Sequence, residues 1–109
     1  MHDELKNKLG LKADNCQTMA DLREEIDLLD RTIVEMFAIR QTYMDQAANI
    51  KQSRDTVRDN DRVEDVVAKV KAHAEKNGAN PELTEELYRT MIEWSINYEF
   101  GKFDEIKGK

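Results

Sequence analysis

One cysteine, one proline and four glycines are spread over 109 residues, and each shortage excludes something. Cys16 has no companion with which to close an intramolecular disulfide, and such usage suits a reducing compartment, so a cytoplasmic protein is expected. With so few chain breakers, long helices are expected, and neither a strand pattern nor an internal repeat is visible. No apolar run approaches the ~20 residues needed to span a bilayer. The stretch from Met1 to Gln17 lacks a continuous apolar core, which predicts no secretory leader. Cations are outnumbered, 17 against 23 acids for a net charge of -6, and this argues against nucleic acid as a partner. A glycine-rich phosphate loop, paired cysteines and His-x-x-x-His spacing are all missing, so neither a metal nor another cofactor is expected. His2 and His73 read as solvent-exposed, and Cys16 without a partner histidine is a poor nucleophile candidate.

What is present is helical periodicity in a chain sized for one domain, with 37% charged residues and a mean hydropathy of -0.79. Residues 1–17 read as a tail or short helix. Thr18 with Asp21 three positions on is a helix start of the capping-box kind. From there Leu22, Ile26, Leu29, Ile33, Met36, Phe37, Tyr43, Met44, Ala47 and Ile50 recur at three- and four-residue spacing. The first helix is therefore about 30 residues and roughly 45 Å long. A globule of this size is only about 35 Å across, so the stripe overhangs a single-chain core and a symmetric dimer is expected to cover it.

Gln52 to Arg58 reads as a polar loop. Asp59, Asn60 or Asp61 caps a second helix, with Glu64 available to complete a box with Asp61. Gly78 is its left-handed stop, and Asn80-Pro81 opens a third helix. That helix carries two stripes, Leu87, Met91, Trp94 and Tyr98 beside Tyr88, Ile92, Ser95 and Glu99. The domain is expected to span 18–103, with 104–109 a frayed tail.

Cations at chosen positions give this all-α chain its chemical character. On a helix, Arg40 and Lys51 fall within roughly 20° of each other, with Tyr43, Met44, Ala47 and Ala48 between them. Such a floor suits a small, multiply charged anion. Arg23 lies off that stripe, so if it joins the same site it comes from another copy of the chain. Arg23 and Arg62 also read as surface ion-pair partners, near Glu24, Asp59 and Glu64. Arg40 interrupts an apolar row, where an unpaired guanidinium would be costly. Glu99 ends the inner stripe of the third helix, either reaching water or joining a site.

The motif Leu22-Arg23-x-x-Ile26-Asp27-x-x-Asp30, then Arg40, Lys51 and Val57-Arg58-Asp59-x-Asp61-Arg62, resembles the helical chorismate mutases over roughly 18–100. The resemblance implies an intertwined homodimer of three-helix chains that needs no cofactor. It implies that Arg40, and Arg23 from the partner subunit, grip two substrate carboxylates. Lys51 would donate to the ether oxygen of the enolpyruvyl group and meet a carboxylate. Asp59 and Arg62 would belong to the wall, Ser95 would contact a carboxylate, and Glu99 stands where many members donate to the ether oxygen from a glutamine and some others carry a glutamate. Asp14-Asn-Cys16, Arg62-Val63 and Glu93-Trp94 resemble the isochorismate-pyruvate lyase branch, while Ser95 is similar to the mutases. Val63 replaces a glutamate that commonly binds the ring hydroxyl, which favours the lyase or an amino-chorismate substrate. The expected activity is chorismate mutase, with that lyase and a non-catalytic helical dimer as alternatives.

Overall fold

The computed structural model describes residues 13–107, and His2 lies outside them. Three helices carry the chain: α1 (Met19–Ile50), α2 (Asn60–Lys76) and α3 (Pro81–Lys107). Short 3-10 turns at Ala13–Asn15 and Arg54–Thr56 precede α1 and α2. Among the described residues there is no strand, and no helix is long and apolar enough to cross a membrane.

Each helix starts where its side chains satisfy the otherwise orphaned backbone donors. The Asp21 N–H donates to the Thr18 hydroxyl at 3.1 Å, and the Gln17 N–H donates to the Asp21 carboxylate at 3.4 Å. Of the three candidate caps for α2, the cap is Asp59, whose carboxylate accepts from the Arg62 N–H at 3.1 Å. Glu64 completes no box with Asp61; it turns to Arg89 instead. The α2 stop is a Schellman arrangement around Gly78 at φ 77°, with the Ala79 N–H on the Ala74 carbonyl at 2.9 Å. Asn80 then accepts from the Glu82 and Leu83 N–H groups at 2.8 and 3.1 Å, and Pro81 occupies the first helical position.

The described residues form two compact units that divide between Arg40 and Gln41, inside α1. In the first, the apolar positions of α1 stay open: Ile26 is 44%, Val34 61%, Phe37 50% and Ile39 58% exposed. In the second, Ala48, Val57, Val67, Ile92, Ile96 and Phe103 form the core, flanked by Val63, Val66, Tyr88 and Phe100. Burying side chains such as Ile92, Ile96 and Phe103 contributes about 1.5–3 kcal/mol each. Of the two stripes on α3, the one with Ile92, Ser95 and Glu99 turns inward, while Leu87 and Trp94 remain exposed.

Two boundaries differ from the sequence expectation. Val57, read as part of a polar loop, is buried in the core. The chain also stays helical through Asp104–Lys107, where a frayed tail was expected. Long-range partners explain it: Arg54 pairs with Asp104 at 3.0 Å, Phe103 is buried, and Lys107 donates to the Lys51 carbonyl.

Arg89 ties α2 to α3 through two bonds to Glu64, both 2.9 Å, and pairs with Glu85 one turn back at 2.7 Å. Hydrogen bonding from Arg89 holds Glu64 below the usual carboxylate range, and Lys71 followed by Arg89 does the same for Glu85. A carboxyl with a depressed folded value adds stability above its unfolded value of about 4.3, and that stability is lost as pH falls through the folded value. The wild-type denaturation midpoint is therefore expected to fall more steeply between about pH 5 and 3 than that of Arg89→Ala. Parallel slopes in urea titrations would contradict this.

Candidate active site

The inner face of α3 carries two buried polar side chains among apolar neighbours, Ser95 at 5% and Glu99 at 4% exposure. They lie one helical turn apart, so both project to the same side. A buried carboxylate needs a partner, and Lys51 supplies it. The Lys51 N–H continues the pattern of α1 by donating to the Ala47 carbonyl at 3.0 Å, which fixes its backbone just past the helix end. Its ammonium forms an ion pair with Glu99 and donates to the Val57 carbonyl at 3.3 Å. Of the ammonium's three donors, two are thus directed at protein oxygens.

Around this pair, the connection from α1 to α2 is fastened to α3. Arg58 forms a two-bond fork with Glu93 at 3.0 and 2.6 Å, which holds the Glu93 carboxyl below the usual carboxylate range. Arg54 stacks over the Phe100 ring at 4.5 Å to the centroid. The Tyr98 hydroxyl donates to Asp45 at 2.6 Å and accepts from Gln41 at 3.4 Å, which joins the end of α1 to α3.

The residues expected from the sequence take different positions. Lys51 and Glu99 meet, with Ser95 a turn from Glu99. Asp59 caps α2, and Arg62 forms an exposed ion pair with Asp65 at 2.6 Å. In the first unit Arg23 is exposed and Arg40 is half-buried. There too, burial and then the Glu25, Asp21 and Asp14 carboxylates push the Cys16 thiol up, which disfavours the reactive thiolate. His73 is exposed. Among the described residues, no group of three or more His, Cys, Asp or Glu side chains could hold a metal ion.

Arg58, Glu93 and the Val57 carbonyl were not recognised as neighbours of the site from the sequence. The local signals are an apolar residue standing alone in a polar segment and the presence of Arg58 and Glu93 in the quoted motifs; their pairing is not local, since they lie 35 positions apart.

The buried ammonium–carboxylate pair lies within the stretch that comparison with known proteins matches. The family model for chorismate mutase type II matches residues 22–100, and the chain belongs to that family. It is also similar to a protein named isochorismate pyruvate lyase from Pseudomonas aeruginosa. The two are 28% identical over 95 residues, spanning 87% of this chain and 94% of that protein.

Proposed function

We propose that the protein is a chorismate mutase, rearranging chorismate to prephenate. The observation that carries this reading is the Lys51–Glu99 pair, buried beside Ser95 within the matched family region. In the [3,3] rearrangement a C–O bond breaks as a C–C bond forms, with six electrons moving around one ring of atoms and nothing entering or leaving. Catalysis then asks for two things. The flexible enolpyruvyl arm must be held over the ring. Positive charge must also stand where the ether oxygen becomes negative.

Arg40, with Arg23 contributed by a second copy of the chain, takes the two carboxylates in this reading. Lys51 directs its third donor to the ether oxygen, Ser95 meets a carboxylate, and Asp59 and Arg62 stand in the wall. The exposed apolar row of α1 supports a homodimer, in which a second copy covers Ile26, Ile33, Val34, Phe37 and Ile39. Sedimentation that finds only single chains would remove Arg23 from the site.

The similarity to the Pseudomonas aeruginosa protein favours a second reading, an isochorismate-pyruvate lyase. There the same grip holds a positional isomer, and a ring hydrogen passes to the methylene carbon as the C–O bond breaks and pyruvate leaves. Assaying purified protein separately with chorismate and isochorismate decides between prephenate and salicylate plus pyruvate. Turnover of neither would leave a non-catalytic helical dimer.

A further inference from the structure

We propose that Arg58 and Glu93 form a positioning pair for Lys51: their fork fixes the Val57 carbonyl, which is the second acceptor of the Lys51 ammonium. This inference rests on the catalytic reading of Lys51 above. A lysine ammonium rides on a flexible four-carbon stem, so its location is set by the oxygens that receive it. One of them, the Glu99 carboxylate, is carried by a buried helical position. The other, the Val57 carbonyl, belongs to a connection whose own backbone bonds are few, among them Thr56 to Ser53 and Val57 to Arg54. A carbonyl is only as well placed as the segment that bears it.

Two anchors flank that carbonyl. The Val57 side chain is buried in the core at 3% exposure, and the next residue grips α3 through two parallel bonds at 3.0 and 2.6 Å. A planar guanidinium meeting a planar carboxylate resists rotation in a way a single bond does not. Glu93 precedes Glu99 on the same helix, so both acceptors of the ammonium are referenced to α3. Arg54 on Asp104 and Lys107 on the Lys51 carbonyl fasten the start of the connection to that helix as well. A surface ion pair ordinarily contributes little to stability. Here its effect is read in the placement of a charge.

Arg89 and Glu64 provide the control, because the same fork chemistry joins α2 to α3 there without touching the connection. The experiment measures kcat and KM for wild type, Arg58→Ala, Glu93→Ala, the double variant and Arg89→Ala. The substrate is whichever of chorismate and isochorismate the wild type turns over. Each single change at the pair is expected to lower kcat about tenfold with a smaller change in KM, as a misplaced catalytic group does. The double variant is expected to lose no more than either single one, because the two residues act as a unit. Arg89→Ala is expected to lower the denaturation midpoint and leave kcat in place. Losses at Arg58 and Glu93 no larger than at Arg89, or losses that add in the double variant, would overturn the inference while the catalytic reading stands. A wild type that turns over neither substrate would overturn both.

Discussion

Lys51→Ala is expected to lower kcat/KM by about 10³-fold, equivalent to ~4 kcal/mol of lost transition-state stabilisation. The ammonium is the charge proposed to face the ether oxygen, where negative charge appears only as the C–O bond breaks. Its loss should therefore fall mainly on kcat. The same change has a second consequence. Glu99, whose side chain is 6% exposed, loses the ammonium that faces it. Orphaning a buried group of this kind costs about 1–3 kcal/mol of stability. The lower part of that range applies here, because the Lys51 side chain is 27% exposed and water screens the pair. Combining Lys51→Ala with Glu99→Gln separates the two effects: the denaturation midpoint should recover and turnover should not. Recovery of turnover in the double variant would mean that the Lys51 charge is not required at the ether oxygen.

Arg40→Ala is expected to cost about 3–5 kcal/mol in kcat/KM, because in the proposed reading one substrate carboxylate would enter the site without its guanidinium. Arg23→Ala should be comparably damaging, and the two defects should complement each other. In a mixed dimer of the proposed kind, one of the two sites would draw an intact Arg40 from one chain and an intact Arg23 from the other. Equal mixing gives half mixed dimers with one working site each, so about a quarter of wild-type activity should return. Refolding the two inactive variants together and assaying the mixture checks this. Activity that stays at the level of the separate variants would place both arginines in one chain's site, or neither in any.

The helices and their ends were legible because their signals are local. Thr18 with Asp21, Gly78 and Asn80-Pro81 each act within four or five residues, and the structure uses each as expected. The inner stripe of α3 was legible too, since helical spacing alone puts Ser95 and Glu99 beside Ile92. Pairing across the chain was not. Lys51 meets Glu99 from 48 positions away and Tyr98 meets Asp45 from 53, and no periodicity encodes such contacts. Val57 shows the same limit in the core: its neighbours in sequence are polar, and the buried cluster it joins comes from residues distant along the chain, Val67, Ile96 and Phe103 among them. The continuation of α3 to Lys107 escaped notice because polar residues at a chain end look free until Arg54 and Lys51 give them partners.

The coupling of Lys51 to Glu99 also bears on how the proposed dianionic substrate would approach. As a unit the two side chains carry no formal charge, so at a distance they attract nothing, while the whole chain stands at -6. In the proposed reading, capture from afar is left to Arg23 and Arg40, working against the field of the remaining surface. Added salt shrinks that repulsive field over a Debye length of about 10 Å at 0.1 M and barely touches a bond made at contact. Ionic strength should thus speed the first encounter of substrate and protein, the reverse of what a basic funnel would do.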